Sequence, residues 1–335
     1  MDFLFTAVIA ISLLFAFING FHDGGNVFAT AVSSRSVSPR KALLVACAAE
    51  FAIPILSGTV VASTIGKGVI RQTDLINSDI SYSLLVLFCA MLAAIIWNLI
   101  TWKFGLPSSS SHALIGGLIG GGVCAFGFIS IEWGILFAKI ISMLLLTPVL
   151  GFGAGMLFMK ATSSVFLKMH SRFNKILKQL HFLSIVLLAG SHGTADAQKT
   201  MGVLTLVLLI SRRIDSFYVA DWVKVSASAA LALGLMFSGW RIILTVGGGI
   251  YKMEARHSLN AQIASAAVIY TSSILGGAVS TSQIVSSTIM GVGSAEKFRA
   301  VKWSVARNIF MSWILTLPAA ALLSGIFFVI LKQFL

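Results

Sequence analysis

The chain has 335 residues, of which 57% are hydrophobic and 10% charged, and it carries a formal net charge of +13. A soluble domain contains about 25% charged residues, so this composition excludes an ordinary soluble globular protein. The excess of Lys and Arg falls between apolar runs, which favours membrane-orientation signals over nucleic-acid binding. We therefore expect an integral protein of the lipid bilayer, with room for about ten membrane segments and no nucleic-acid partner.

Charge-poor apolar runs mark the predicted segments in chain order. They are 3–21, 42–66 (interrupted by Glu50), 80–102, 104–131, 140–159, 182–211 (interrupted by Asp196 and Lys199), 225–240, 258–295 and 308–331. Several are long enough to span the hydrocarbon as α-helices. The runs 104–131 and 258–295 are rich in Gly, Ser and Thr, which predicts a broken helix or re-entrant hairpin in each.

The most polar interior stretch, 161–181, contains four basic residues and no acid. The positive-inside rule places such a loop in the cytoplasm. We therefore predict a first transmembrane repeat at 1–160, a basic cytoplasmic connecting loop at 161–181 and a second transmembrane repeat at 182–335. The expected location is the cell membrane, as a multi-pass protein.

Three motifs recur in the same order in the two halves. The matched pairs, separated by 169 to 171 residues, are Gly24 with Gly193, Ser109 with Ser280, Gly120 with Gly291, and Pro148 with Pro318. Such duplication is common in transporters that bind their substrate at the repeat interface. We expect an all-α membrane protein of two homologous halves, each with several transmembrane helices. The halves form an inverted repeat if each has an odd number of crossings.

A cluster of hydroxyl residues precedes the Gly-rich run of each predicted hairpin. The clusters are Ser109, Ser110 and Ser111 in the first half, and Ser280, Thr281 and Ser282 in the second. A half-helix that begins inside the membrane presents unpaired N–H groups and a positive dipole end, which suit an oxyanion. Alternatively, the hydroxyls bond back to their own helices. The duplication favours a substrate site between two facing helix N-termini.

Ionisable side chains inside apolar surroundings are costly and indicate function by default. The set comprises His22, Asp23, Glu50, His192, Asp196 and Lys199. Carboxylates repel an anion unless a proton or cation neutralises them, so the set predicts ion coupling. Asp23 and Asp196 would be the metal ligands if the ion is Na⁺. Asp196 and Lys199, three residues apart, could instead form a structural ion pair, while Glu50 and the histidines could be hydrogen-bonded packing residues.

These motifs resemble the signatures of the inorganic phosphate transporter family, the sodium- or proton-coupled phosphate permeases. The family signature Gly-Ala-Asn-Asp-Val-Ala-Asn-Ala is similar to 23–31 and 191–198, and Pro-Val-Ser-Thr-Thr-His is similar to 107–112 and 279–283. Similar stretches at 38–42, 239–243, 289–293 and 313–319 extend the likeness over nearly the whole chain. The resemblance implies that the hairpin hydroxyls bind phosphate and the acidic signature residues the coupling cation. Asn26 and Gln198 of the signatures are further candidate substrate ligands.

Both signatures depart from the family pattern. Val27 and Thr30 stand where the first copy has Asp and Asn, and Ala195 and Lys199 replace the two Asn of the second. Each change removes an oxygen ligand that sodium would use. We hypothesise that the Lys199 ammonium partly substitutes for sodium and leaves transport proton-coupled or weakly sodium-dependent. The lost ligands fit another anion equally well.

The predicted function is secondary active transport of inorganic phosphate by alternating access, coupled to H⁺ or Na⁺, with no other cofactor. Sulfate or another oxyanion is the alternative substrate, but only phosphate keeps a proton to donate to Asp23 or Asp196. An uncoupled anion channel is a remote alternative, which the buried carboxylates oppose. We do not expect an enzyme, because no third group joins Ser111 and His112 in a triad. A homo-oligomer remains compatible with the sequence.

Overall fold

A computed structural model of the chain describes residues 2–167, 174–238 and 244–335, which are almost entirely helical. The helices of the first half are α1 (Asp2–Asp23), α2 (Gly25–Ser33), α3 (Pro39–Leu56), α4 (Val60–Gly68), α5 (Gln72–Asn77), α6 (Ile80–Lys103), α7 (Ser110–Phe126) and α8 (Ser142–Leu167). Those of the second half are α9 (Asn174–Ile210), α10 (Asp221–Met236), α11 (Ala255–Ile274), α12 (Thr281–Lys297) and α13 (Trp303–Leu331). A turn at Trp133–Ile135 and a π-helical turn at Leu136–Ile141 lead into α8, and a second π-helical turn, Thr245–Gly249, precedes α11.

Four helical stretches of the described chain are long and apolar enough to cross a membrane by themselves. They are Phe3–Ser33, Ile80–Lys103, Trp133–Ser163 and Trp303–Phe334. A fifth span, α3 with α4, is bent by 74°. The predicted segment 42–66 is therefore two helices, a break that its hydropathy does not reveal. Pro54 lies in the last turn of α3, and the chain leaves the helix three residues later.

The predicted connecting loop 161–181 is helical wherever the structure describes it. Helix α8 continues to Leu167 and α9 begins at Asn174, so the prediction of a loop is wrong for these residues. The physical reason is that long side chains such as Lys, Leu and Gln favour helices, so basic composition indicates polarity and not irregular backbone. Residues 168–173, and the resemblance stretch 239–243, lie outside the described residues. The cytoplasmic placement stays a prediction.

The Gly- and Ser-rich segment 258–295 forms a broken hairpin of α11 and α12, as predicted, whereas 104–131 supplies only the turn and the second helix, α7, of a hairpin whose first helix is α6. In each, the chain turns at a glycine with positive φ, 66° at Gly105 and 75° at Gly276. A side chain would strain the backbone there. Four residues outside any helix then lead into the second helix in both copies. The hairpins are therefore equivalent residue by residue, at a separation of 171.

Helices of each half pack against helices of the other half. Helix α7 packs on α13 as α12 packs on α8, and α1 packs on α10 as α9 packs on α3. Glycines permit the close approach: a Cβ on Gly120 would lie 1.9 Å from Ala321 O, and one on Gly291 would lie 2.1 Å from Phe152 O. Small residues play this role widely in membrane helix packing. Such reciprocal contacts are those of two copies related by a two-fold axis, and they put the hairpins at the centre.

Candidate functional site

The turns of the two hairpins meet in the interior of the protein. Ser111 Oγ donates a hydrogen bond of 2.8 Å to Val279 O, and Ser282 Oγ donates one of 2.6 Å to Ser108 O. The two bonds are equivalent under the repeat, so each hairpin holds the other. The N-termini of α7 and α12 are thereby brought to one place, as the sequence predicts.

The first hydroxyl of each cluster caps its own helix. Ser109 Oγ accepts from His112 N at 3.1 Å, and Ser280 Oγ accepts from Gln283 N at 3.4 Å. Each cap satisfies one of the free N–H groups at its helix N-terminus. The back-bonding alternative is thus correct for these two hydroxyls, which order the helix start.

The middle hydroxyl of each cluster contacts a carboxylate. Ser110 Oγ donates to Asp23 Oδ2 at 2.9 Å. Thr281 Oγ1 donates to the Asp196 carboxylate at 3.4 Å. All four side chains are buried, with at most 1% of their surface exposed. Both helix starts therefore carry one hydroxyl that faces an acid.

Lys199 connects the two halves of this site. Its Nζ lies 2.7 Å from Asp196 Oδ1 and donates to Ser110 Oγ at 3.0 Å. Its side chain is only 1% exposed. The ion pair considered as a structural alternative is therefore present. It extends further than a local pair, because the same ammonium reaches the hairpin of the opposite half.

His22 joins Asp23 to the first hairpin. Its Nδ1 lies 2.9 Å from Asp23 Oδ1, and its Nε2 lies 3.2 Å from Thr101 Oγ1 and 3.4 Å from Ser108 Oγ. Both His22 and Asp23 are fully buried. The imidazole therefore links the carboxylate of α1 to both limbs of the hairpin.

Glu50 and His192 form the second carboxylate–imidazole pair. His192 Nδ1 lies 2.5 Å from Glu50 Oε1, and its Nε2 lies 3.4 Å from Asp196 Oδ2. Both are fully buried, and Glu50 Oε2 has no hydrogen-bond partner among the described residues. The spacing of His192, Asp196 and Lys199 puts them on one face of α9. Glu50, far away in sequence, thus belongs to the same cluster.

The two signature amides have different surroundings. Asn26 Nδ2 lies 3.5 Å from Asp23 Oδ1, and its own Oδ1 has no partner among the described residues. Gln198 Oε1 accepts from Val61 N at 2.9 Å and Ala62 N at 3.2 Å. Gln198 therefore caps α4, and its oxygen is already engaged by backbone. The geometry keeps Asn26 as a candidate ligand and gives Gln198 a positioning role.

Two further side chains belong to the cluster although the sequence motifs do not include them. Asn19 Nδ2 donates to Asp196 Oδ2 at 3.1 Å, and Thr101 contacts His22. The sequence does indicate Asn19 as a candidate site residue, because it is the one amide in the apolar run 3–21 and precedes His22 by three residues. No sequence feature indicates Thr101, since 79 residues separate it from His22 and only tertiary packing brings the two together.

The charges of the cluster do not cancel by themselves. Three carboxylates face one ammonium, so two negative charges remain when both imidazoles are neutral. Buried charge requires a compensating partner. The described residues contain no group of three His, Cys, Asp or Glu side chains that could hold a metal ion.

Two stretches of the chain, 19–186 and 166–324, each match the model of the phosphate transporter family. The chain belongs to the phosphate transporter family. Because one family unit falls on each half, the match confirms both the resemblance and the duplication read from the motifs. Membership also agrees with the all-helical membrane architecture of the described residues.

Individual relatives in the phosphate transporter family cover nearly the whole chain. A protein of Rhizobium meliloti described as a probable low-affinity inorganic phosphate transporter is 39% identical over 326 residues, which are 96% of this chain and 95% of the relative. One of Bacillus subtilis with the same description is 37% identical and covers 99% of both chains. A solved structure described as the sodium-dependent phosphate transporter covers 100% of both chains with a TM-score of 0.87 at 22% identity. That last likeness shows the shared fold.

Proposed function

We propose that the chain is a secondary active transporter that moves inorganic phosphate across the cell membrane by alternating access, coupled to H⁺ or Na⁺. The observation that carries the proposal is the meeting of two half-helix N-termini, one from each half, over a buried set of carboxylates and Lys199. Family membership and the descriptions of the full-length relatives support phosphate as the substrate. No enzymatic role is proposed.

Phosphate would bind between the starts of α7 and α12. Their free backbone N–H groups and dipoles favour an oxyanion, and Ser110 and Thr281 would turn from their carboxylates to donate to it. Lys199 would add one charge-assisted hydrogen bond. The other hydroxyls of the two clusters would fix the positions of the two helix N-termini. They are Ser109, Ser111, Ser280 and Ser282. Asn26 Oδ1 would accept from a protonated phosphate oxygen, which sulfate lacks at neutral pH.

Protons are the coupling ions that the geometry supports best. His22 with Asp23 and His192 with Glu50 are two buried pairs in which an imidazole and a carboxylate are close enough to share a proton. Each proton would remove one of the two uncompensated negative charges and so lower the electrostatic cost of bringing in phosphate. Sodium remains the alternative, held by Asp23 and Asp196. The departures at Val27 and Lys199 reduce the oxygen ligands it would need.

Alternating access would require the hairpins to separate. The bonds Ser111 to Val279 and Ser282 to Ser108 close the interface between them. Since the two bonds are equivalent under the repeat, rearrangement of one half against the other could expose the site to either side in turn. The stretch 161–181 would mark the cytoplasmic side.

Uptake into proteoliposomes tests the proposal. Labelled phosphate and labelled sulfate are compared under an inward pH gradient, a sodium gradient and no gradient. We expect phosphate to accumulate under the pH gradient and Asp23→Asn to abolish accumulation, while Asp221→Asn, at a side chain that is 94% exposed, has no effect. Failure to move either anion refutes transport. Preferential sulfate accumulation establishes the alternative substrate, and flux without accumulation establishes a channel.

A further inference from the structure

An apolar groove of about 580 Å³ lies between α8, α12 and α13. Its walls include Phe152, Met290 and Phe310, and one end carries Trp303 and Arg307. Its volume falls in the range of protein sites for small amphipathic ligands. None of the residues that line the groove belongs to the buried ion cluster, and the proposed transport chemistry does not use it.

The repeat supplies a second groove for comparison. It also measures about 580 Å³ and lies between α7 and α13, with Trp133 in the place of Trp303. Each indole N–H donates to the carbonyl five residues before it, at 2.9 and 3.1 Å. The grooves differ in two ways. No cation lines the second groove, and its α13 wall carries Leu322 whereas the α8 wall of the first groove carries Gly153.

Arg307 gives the first groove a positive end. Its side chain is exposed, and it forms no ion pair with the residues that the structure describes. Three further exposed cations precede it in the chain: Lys297, Arg299 and Lys302. The nearby carboxylate of Glu296 is taken up by Arg256 and His257. The local surface is therefore basic, and Arg307 is available to an anion.

The same end carries the features of a membrane–water interface. Tryptophan is enriched at that level, and Trp303 lies beside the cation. Thr162 near the end of α8 bonds to Asn260 near the start of α11, at 2.9 Å. This contact brings the beginning of the basic stretch 161–181 to the start of α11. Anionic phospholipids attract basic clusters at such surfaces.

We propose that this groove binds one anionic phospholipid, with its phosphate on Arg307 and an acyl chain along α8 and α12. The chemistry matches at both ends, since an exposed guanidinium adjoins an apolar channel open to the bilayer. Helices α8 and α12 belong to opposite halves, and α12 begins at Thr281. The lipid would therefore contact helices of both halves, whose interface also contains the ion cluster.

Lipid retention measured by native mass spectrometry tests the proposal. The full-length protein is taken from nanodiscs in which phosphatidylglycerol is a minority among phosphatidylcholine. We expect the wild type to retain phosphatidylglycerol preferentially and Arg307→Gln to lower the preference about fivefold, the factor for one cation at an anionic surface. Arg299→Gln makes the same charge change outside the groove lining and should lower the preference much less.

Gly153→Leu tests the groove itself. A Cβ at Gly153 would meet nothing within 4 Å, so there is space for the start of a side chain, and a leucine there would occupy the groove. We expect it to reduce retention of both lipids. Three results would overturn the proposal: an unchanged preference in Arg307→Gln, an equal loss in Arg299→Gln, or unchanged retention in Gly153→Leu. A shift from dimer to monomer in Gly153→Leu without loss of lipid would assign the groove to a second copy and overturn it too.

Discussion

Replacing Lys199 by Asn tests whether the Lys199 ammonium compensates the Asp196 carboxylate in place of a bound cation. Its Nζ lies 2.7 Å from Asp196 Oδ1, and neither side chain is more than 1% exposed. Removing one partner of a buried ion pair costs about 3–5 kcal/mol, because the other charge is left without compensation. We therefore expect Lys199→Asn to lower the unfolding temperature markedly in sodium-free buffer.

The same substitution should create a response to sodium. The new amide oxygen would lie beside the Asp196 carboxylate, and hard cations prefer such oxygen ligands. At a sodium concentration about 100 times its Kd, binding to the folded state returns about 2.7 kcal/mol, more than half of the expected loss. Thermal unfolding in sodium and in N-methylglucamine should thus differ more for the variant than for the wild type. Phosphate uptake by the variant should become sodium-dependent.

Two controls separate this effect from general damage. Lys199→Asn combined with Asp196→Asn removes both charges, so the sodium response should disappear. Lys224 pairs with Asp221 at the same three-residue spacing and 2.9 Å, but the Asp221 side chain is 94% exposed. Lys224→Asn should therefore change stability by less than about 1 kcal/mol and leave uptake intact. If Lys199→Asn keeps the wild-type cation dependence in both assays, the reasoning about Lys199 is wrong.

Two further predictions concern the repeat interface. Ser111→Ala and Ser282→Ala each remove one of the equivalent hairpin bonds and should each cost about 0.6 kcal/mol, the average for hydrogen bonds between membrane helices. Unfolding titrations in mixed micelles measure this, and a loss confined to one variant would contradict the equivalence. Gly120→Ala should cost more than about 1 kcal/mol and impair assembly, because its Cβ would lie 1.9 Å from Ala321 O. Gly153→Ala, where the space is open, should be neutral or slightly stabilising on the same gel-filtration and unfolding assays.

The hairpins could be predicted from sequence because their signals are local and duplicated. Ser109 and Ser280 cap helices within three residues of themselves, and Gly105 and Gly276 provide turns that only glycine adopts freely. A local rule read twice at one separation is strong evidence. The membrane architecture followed in the same way from long apolar runs, whose lengths match the bilayer.

The partners of the site residues could not be predicted, because packing decides them. Nothing near Ser111 in sequence indicates that its hydroxyl meets Val279 O, 168 residues away. Gln198 looked like a ligand from its place in a signature, yet it caps a helix whose start appears only when segment 42–66 breaks. The prediction of a connecting loop at 161–181 was wrong for a related reason, since a charge pattern indicates exposure to water and not backbone conformation.

The two halves repeat their backbone contacts, but their charged side chains differ. This difference matters for the coupling between anion binding and proton binding. Ser110 meets both Asp23 and Lys199, whereas Thr281 meets Asp196. An anion that enters between the two hydroxyls would compete with Asp196 for the ammonium. That carboxylate can then be neutralised by a proton on His192, 3.4 Å away. Each ligand would thus lower the cost of binding the other, and such a reciprocal free energy is the thermodynamic requirement for symport.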